Sequence, residues 1–354
     1  MKIGVVDVFC GIGGLSHGFS AEGFDVIAGI DSDGSCRYAY ETNLKARFIE
    51  SDVAEIKGRQ IIKLFNRRKL SYRVLVGCAP CTPFSMYTGR YRKIRRRDKQ
   101  WQLLNDFSRL VETTKPDVIS MENVPRLTRH PIFVRFVRKI EKAGYSVTYK
   151  KVRAHHYGIP QRRARLVLLA SLWGPVNLLP PTHSGQSKTV RDAIGHLPKI
   201  KAGQSCISDR LHKCRKLSPQ NLTRLKATGE GGSWKDWDDG LQLACHKRRK
   251  GASFRSVYGR MRWDAPSPVI TTQCLGIGNG RFGHPKQNRA ISIREAALLQ
   301  SFPKSFRFLP AREEINTAQL ARHIGNAVPP RLSRIIARSI KRHLTDVSVA
   351  YVAA

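Results

Sequence analysis

The chain has 354 residues, enough to bury a large core in one large domain and a smaller one. Its 63 Lys and Arg residues against 26 Asp and Glu residues give a formal net charge of +37, which favours nucleic acid as a partner over an anionic membrane surface. No apolar run approaches the roughly 20 residues of a membrane helix, and the eight cysteines follow no disulfide framework, so we expect a reduced, cytoplasmic protein with no membrane partner.

Short β-branched runs alternate with helix-like segments over residues 3–172. The runs predict strands in the segments IGVVDVF, FDVIAGI, RVLVG, DVISM, YSVTYKKV and RLVLLAS. This alternation is typical of a parallel, doubly wound sheet. Apolar residues at helical spacing predict a helix before DVISM, and Lys115-Pro116 ends it. These residues are Leu103, Leu104, Phe107, Leu110 and Val111.

Regular patterns weaken from about residue 175 to 260, where Pro, Gly and Ser interrupt a basic stretch. Two helices are predicted after it, at REAALLQSF and at PRLSRIIARSIKRHL, the second with Leu332, Ile335, Ile336 and Ile340 on one face. We therefore predict an α/β fold with a Rossmann-like domain at 1–188 and 286–345. A smaller, loop-rich domain is expected at 189–285.

A glycine-rich turn, Phe9-Cys10-Gly11-Ile12-Gly13-Gly14, directly follows the first predicted strand. Such glycines let the backbone approach a ligand closely, although G-x-G-G is not the full dinucleotide fingerprint. Asp31 ends the second predicted strand, where a carboxylate can accept hydrogen bonds from both hydroxyls of a ribose. The pair predicts a nucleoside cofactor and leaves nicotinamide enzymes and methyltransferases both open.

Pro80-Cys81 and Glu122-Asn123-Val124 follow two further predicted strands. A thiol can add to an electron-poor ring carbon if a nearby acid protonates the ring nitrogen, so Cys81 and Glu122 are candidates for these two roles. Cys78 and Cys81 also form a C-x-x-C, which suits a redox pair or half of a zinc site. The segment after Cys81 is typical of a loop instead of a helix, and the other Cys and His spacings match no common finger. No metal site is predicted.

The chain closely resembles the DNA cytosine-5 methyltransferases. Six motifs carry this resemblance in order along the chain: the turn at 9–14, Pro80-Cys81, Glu122-Asn123-Val124, Gln161-Arg162-Arg163-Ala164-Arg165, Arg294-Glu295-Ala296-Ala297 with Leu299-Gln300, and Gly325-Asn326-Ala327-Val328-Pro329. The unmatched stretch, about 175–255, corresponds to the target recognition region of the family. One intact region of this kind implies one DNA target.

The resemblance implies a catalytic set of Cys81, Glu122, Arg163 and Arg165. In the family the target cytosine is flipped out of the duplex and a thiolate attacks ring carbon 6. By this resemblance Glu122 contacts ring N3 and the amino group, Arg165 holds the carbonyl oxygen at ring position 2, and Arg163 orders the active-site loop. A phosphate contact is the alternative role for either arginine. Asn123 fixes the backbone around Pro80 and Cys81. Cys78 is expected to pack behind the loop.

The resemblance also implies S-adenosyl-L-methionine as cofactor, with S-adenosyl-L-homocysteine as product. Phe9 is expected against the adenine or the sulfonium, Leu103 beneath the adenine and Asn326 at the methionine end. The full set of expected cofactor-binding residues is Phe9, Gly11, Gly13, Gly14, Asp31, Asp52, Pro80, Leu103, Asn326 and Val328.

Seven basic residues crowd the segment 82–100. A charge run is commonly a solvated surface, but in the family a loop that closes over DNA follows the nucleophile. Ser85, Arg90, Arg95, Arg96 and Arg97 are therefore predicted to contact DNA. The family commonly carries Gln where this chain has Thr82. Basic residues 247–250 are expected to contact phosphates, and Trp234 and Trp237 are expected to pack.

The expected partner is double-stranded DNA, with the protein acting as a monomer, near the nucleoid if bacterial, and with a cognate restriction endonuclease as a possible companion in the same system. Two rivals remain. A cytosine-5 methyltransferase of transfer RNA would share the catalytic motifs, and a non-catalytic DNA-binding relative would be expected to have lost Cys81, Glu122 or the glycine turn, all of which are present.

Overall fold

The computed structural model describes residues 1–80 and 96–353, without the side chains of 96–101, 249, 250, 352 and 353. Contacts divide the chain into two compact units. The first comprises Met1–Arg153, Ala164–Pro181 and Ala327–Ala354, and the second comprises Ala154–Arg163 and Thr182–Asn326. By these contacts residues 286–326 lie in the second unit, whereas the predicted domains join them to the sheet. The predicted functional domains stay a prediction.

The first unit contains a seven-stranded sheet in the order β3-β2-β1-β4-β5-β7-β6. Its strands are β1 Ile3–Val8, β2 Asp25–Asp31, β3 Arg47–Glu50, β4 Tyr72–Gly77, β5 Val118–Asn123, β6 Ser146–Arg153 and β7 Ala164–Ser171. Strands β1 to β5 pair in parallel, but β7 is antiparallel to both β5 and β6. The prediction of a fully parallel sheet is wrong at β7. Residues 154–163 link β6 to β7 with only a short 3-10 turn, and a parallel pair needs a longer crossover.

The helices are α1 Gly14–Ala21, α2 Arg37–Leu44, α3 Gly58–Asn66, α4 Arg96–Thr114, α5 Pro131–Lys142, α6 Val190–Ile194, α7 Pro219–Lys226, α8 Ala244–Lys247, α9 Arg249–Ala252, α10 Ile293–Leu299, α11 Thr317–Asn326 and α12 Pro330–Ala353. In α4, the apolar face that sequence spacing predicts is buried at Leu104, Phe107, Leu110 and Val111. The predicted apolar face of α12 is buried as well, at Leu332, Ile335, Ile336 and Ile340. These helices were predicted correctly.

The centre of the sheet is apolar and closed to solvent. Every residue of β1 and of β5 is buried, as expected for β-branched strands covered on both faces. Residues of β1, β4 and β5 form one core cluster with α4 and α5. Helix α1 packs on α12, where Ser333 Oγ donates a hydrogen bond to the Leu15 carbonyl and lies where a side chain at Gly18 would project.

The second unit has little regular structure. Its longest helix among the described residues is α11, with ten residues, and its described backbone pairs only in isolated bridges. Trp234 and Trp237 are buried against His246 and Tyr258, and each donates its indole N–H within the unit, to Phe254 O and Thr228 Oγ1 respectively. The prediction that both tryptophans pack is confirmed.

None of the helices in the described part of the chain has the length and apolar character needed to cross a membrane.

Candidate active site

The glycine turn and Asp31 meet at the carboxyl ends of β1 and β2. The Gly11 N–H donates to Asp31 Oδ2 over 2.8 Å, and the Asp33 N–H donates to Oδ1 over 3.0 Å. Burial raises the pKa of Asp31, and these two amide donors partly offset that effect. Both carboxylate oxygens are thus fixed in direction, and each keeps a lone pair for a further donor.

Open space lies beside the turn at Gly11. This glycine has φ +50°, and a Cβ added to it would meet no atom within 4 Å. At Gly14 the reverse holds, because a Cβ there would overlap the carbonyl oxygen of Val328. The turn therefore needs one glycine for packing against the Val328 segment and offers room for a ligand at the other.

A buried carboxylate, Glu122, lies near the end of β5 and is 2% exposed. The Nε atom of Arg165, on the neighbouring strand β7, lies 2.7 Å from Glu122 Oε1. On the other side, the Cys78 thiol donates a hydrogen bond to Glu122 Oε2 over 3.1 Å. The first unit thus brings two predicted catalytic residues together, and it adds Cys78, which the sequence analysis had placed behind the loop and not at Glu122.

Asn123 connects this carboxylate to the segment that leads to Cys81. Its Nδ2 donates to the Ala79 carbonyl over 3.1 Å, while its Oδ1 accepts from the Val124 N–H over 2.8 Å. Asn123 therefore binds the backbone directly before Pro80, and its predicted effect on the backbone around Pro80 and Cys81 stays a prediction. Cys81 itself lies outside the described residues.

Arg163 belongs to the second unit and contacts backbone there. Its guanidinium donates to the carbonyls of Ile270 over 3.2 Å and of Gly325 over 3.4 Å. Gln161 accepts from the Ile270 N–H over 3.2 Å and donates to the Leu299 carbonyl over 3.2 Å. Arg163 is 4% exposed, and its guanidinium joins the backbone at Ile270 to the backbone at Gly325, directly before Asn326. Its predicted effect on the active-site loop stays a prediction.

The sequence profile of the family described as C-5 cytosine-specific DNA methylase matches residues 3–342. The chain belongs to this family. Two relatives resemble the methylase over nearly its whole length. The Type II methylase M.HgiDII of Herpetosiphon aurantiacus is 49% identical, and the alignment covers 96% of this chain and 95% of that protein. The Type II methyltransferase M1.HphI of Haemophilus parahaemolyticus is 31% identical, with 98% and 88% covered.

Solved structures share the fold of the methylase. A DNA modification methyltransferase encoded within a prophage in E. coli matches with a TM-score of 0.75 at 22% identity, covering 97% of this chain and all of that chain. The Dnmt2 methyltransferase of S. pombe matches with a TM-score of 0.64 at 15% identity, covering 97% and 99%. The chain is therefore a cytosine-5 DNA methyltransferase with a Rossmann-like α/β fold, as the sequence predicted.

The other predicted cofactor residues of the methylase have varied surroundings. Phe9 is half-buried against the core cluster, Leu103 and Pro80 are half-buried, and Asn326 is exposed at the end of α11 in the second unit. Asp52 is exposed and accepts a hydrogen bond from the Ala54 N–H over 3.0 Å. Their contacts with a cofactor stay predictions.

The predicted DNA contacts fall outside what the structure describes. Ser85, Arg90 and Arg95 lie outside the described residues, as do the side chains of Arg96 and Arg97.

Sequence analysis assigned no role to Asp7, which is fully buried in β1. Ser16 Oγ donates to its Oδ2 over 2.6 Å and lies 2.9 Å from the Tyr40 hydroxyl. Burial raises the pKa of Asp7 to about 7. A lone acidic residue inside an otherwise apolar strand was the available sign, because such a group is buried at a cost unless it is protonated or paired.

Proposed function

We propose that the methylase transfers a methyl group from S-adenosylmethionine to carbon 5 of a cytosine flipped out of duplex DNA, through a covalent adduct with Cys81. The arrangement around Glu122 is the observation that carries this proposal. The buried Glu122 carboxylate pairs with Arg165. The next residue, Asn123, donates to the Ala79 carbonyl, two residues before Cys81. An acid and a nucleophile are thereby tied to one short stretch of backbone.

The residues at the carboxyl ends of β1 and β2 fit a nucleoside with a sulfonium tail. Asp31 has a lone pair on each oxygen for the two ribose hydroxyls, and the open space at Gly11 admits a ligand against the backbone. When bound, S-adenosylmethionine supplies an electrophilic methyl group. We assign Phe9, Leu103 and Asp52 to the adenine side and Asn326 to the methionine side, following the family resemblance.

The chemistry that this chain supplies begins with the thiolate of Cys81. It adds to ring carbon 6, and the ring electrons are drawn toward N3, where Glu122 donates a proton, while Arg165 holds the carbonyl oxygen at position 2. Carbon 5 becomes nucleophilic and takes the methyl group, with S-adenosylhomocysteine as the leaving group, and the proton on N3 returns to Glu122. A base, which we assign to water, then removes the proton from carbon 5, and the returning electrons expel Cys81 as thiolate.

Sequence choice falls to residues 189–285 and phosphate binding to the basic segment after Cys81. The net charge of +37 supports a duplex DNA partner that is bound with strong salt dependence. Since two relatives are named Type II enzymes, we also propose a restriction-modification role, with a cognate endonuclease in the same system. We propose that the enzyme acts as a monomer in the cytoplasm, at the nucleoid of a bacterial cell.

Tritiated methyl transfer tests the proposal. The enzyme should label unmethylated duplex DNA and not transfer RNA, Cys81→Ser should abolish the labelling, and bisulfite sequencing of DNA from expressing cells should identify the target. Labelling of transfer RNA alone would favour the RNA enzyme. Labelling of DNA that survives in Cys81→Ser would reject the covalent step.

A further inference from the structure

We propose that Cys78 is a positioning residue for the methyl-transfer reaction, and that its thiol directs Glu122 Oε2 to carry the proton for the cytosine ring. This inference rests on the proposed function, in which Glu122 is the acid. It concerns a thiol that the proposed mechanism does not otherwise use.

Strand pairing places Cys78 beside Glu122. Strands β4 and β5 are parallel, and Gly77 pairs with Met121. The residues that follow this pair, Cys78 and Glu122, therefore lie side by side. Cys78 Sγ donates to Glu122 Oε2 over 3.1 Å, and the Cys78 sulfur is a thiol and not part of a disulfide. Because Glu122 is 2% exposed, water has little access to replace a lost partner.

The two partners of Glu122 differ in what they can accept. Arg165 carries a positive charge and only donors, and its Nε lies 2.7 Å from Oε1 in an ion pair, so a proton on Oε1 would lie beside a cation that cannot accept it. A thiol is a weak donor and a weak acceptor. The Cys78 thiol can therefore donate to Oε2 when Glu122 is ionised and accept from Oε2 when Glu122 is protonated. We therefore assign the proton of the acid form to Oε2.

The neutral thiol suits this role. A cation at Oε2 would repel a proton there, whereas a neutral group that both donates and accepts can bond to the carboxylate and to the carboxylic acid alike. A methyl group in place of the thiol would leave Oε2 without this partner. Serine would keep both donor and acceptor at nearly the same place, and it is the conservative replacement.

Methyl-transfer rates measured against pH test the proposal. Cys78→Ala should lower kcat about three- to tenfold through the lost hydrogen bond and leave KM for DNA within about twofold. Since the lost donor favoured the ionised carboxylate, the alkaline limb of the kcat profile should move to higher pH in Cys78→Ala. Cys78→Ser should restore both the rate and the profile.

Ser71→Ala is the control for loss of a small hydrogen-bonding side chain elsewhere in the first unit, since exposed Ser71 lies at the amino end of β4 and its Oγ accepts from the Lys2 N–H over 3.1 Å. It should behave as wild type. An unchanged rate and profile in Cys78→Ala would overturn the proposal. So would a Cys78→Ser enzyme as slow as Cys78→Ala, because the thiol would then act only by its volume.

Infrared spectroscopy tests the contact without any activity. The difference spectrum between wild type and Cys78→Ala isolates the S–H stretching band of Cys78, and Glu122→Gln should move that band to higher frequency because an amide oxygen is a weaker acceptor. A band that does not move would overturn the contact. A wild-type enzyme that labels no DNA would instead reject the proposed function, whatever the band shows.

Discussion

The two units of the methylase position their polar side chains in different ways. In the first unit, Asp31 and Glu122 lie at the ends of sheet strands, so strand register and an apolar core fix their places. In the second unit, buried arginines bind the carbonyls of irregular backbone. Arg260 is 4% exposed and donates to the carbonyls of Leu225, Thr228, His284 and Gln287.

This difference teaches where single substitutions should act. A strand keeps its register through many backbone hydrogen bonds, so one side chain carries a small part of its position. A loop held by one guanidinium depends on that guanidinium, because each carbonyl that loses its donor stays buried and unpaired. We therefore expect polar substitutions to destabilise the second unit and to change chemistry in the first.

The largest expected effect is from breaking the buried pair of Arg289 and Glu295. Both side chains are at most 1% exposed, and two hydrogen bonds of 2.7 Å join them. Arg289→Leu leaves a buried carboxylate without its cation, so the free energy of unfolding should fall by about 3 to 5 kcal/mol in urea titration.

Arg191→Leu is the matched control, because Arg191 forms a similar paired contact with Asp264 on the surface. It should leave the urea midpoint nearly unchanged. If both leucine variants shift the urea midpoint equally, burial does not determine how much a polar contact stabilises the second unit.

Next in size is Glu122→Gln, which acts on chemistry in the first unit. The amide keeps the shape and an oxygen beside Arg165, but it cannot deliver a proton, so single-turnover methyl transfer should slow about 10²- to 10³-fold. DNA affinity should stay as in wild type, and the urea midpoint should fall less than in Arg289→Leu, because the amide keeps an oxygen beside Arg165 and leaves no bare carboxylate. Glu141→Gln, on the exposed side of α5, is the control and should be fully active.

A third prediction compares buried carboxylates of the two units. Burial raises the pKa of Asp7 from 3.8 to about 7, whereas in Glu295 the bonds and charge of Arg289 outweigh burial and lower the pKa. Folded Asp7 keeps its proton where the unfolded chain has lost it. Its contribution to stability is therefore complete below about pH 4 and lost as pH rises to about 7.

Asp7→Asn should remove this pH dependence, because asparagine is neutral and keeps an oxygen for Ser16. Wild type should lose about 3 kcal/mol of unfolding free energy relative to Asp7→Asn between pH 4 and pH 7. Parallel stability curves for the two proteins over this range would show that Asp7 is ionised in the fold.

The sequence predicted what depends on neighbouring residues. β-branched runs located six of the seven strands, all but the four-residue β3, and apolar spacing located the buried faces of α4 and α12. The direction of β7 was wrong because it depends on how the chain returns after β6. Ordered motifs identified the family and predicted roles for Glu122 and Arg165, whose side chains lie 2.7 Å apart in the structure.

Contacts between distant residues could not be predicted in the same way. The bond from Cys78 to Glu122 spans 44 residues and follows from the register of β4 and β5, which no local pattern near Cys78 encodes. The carbonyls that bind Arg260 lie both before and after it in the chain, with no periodicity. In the second unit, therefore, the packing of the tryptophans could be predicted from the sequence, but the hydrogen bonds between arginines and backbone carbonyls could not.

The smallest expected effect concerns the basic segment after Cys81, and it separates phosphate binding from sequence choice. Changing Arg95, Arg96 and Arg97 to glutamine should weaken DNA binding about tenfold at every sequence and reduce the salt slope by up to about 3, one for each lost phosphate contact. Titration of fluorescent duplexes at several salt concentrations measures both quantities. Target preference should not change, because we assign it to residues 189–285.

A matched variant carries the same change of charge on α5, with Arg135, Arg138 and Lys142 changed to glutamine, all of them exposed. If binding depended on net charge alone, the two triple variants would lose equal affinity. We expect only the variant at 95–97 to lose salt slope, because counterion release requires direct contact with phosphates. An altered target preference in that variant would instead place part of the base reading in the segment after Cys81, and the assignment of sequence choice to the loop-rich region would have to change.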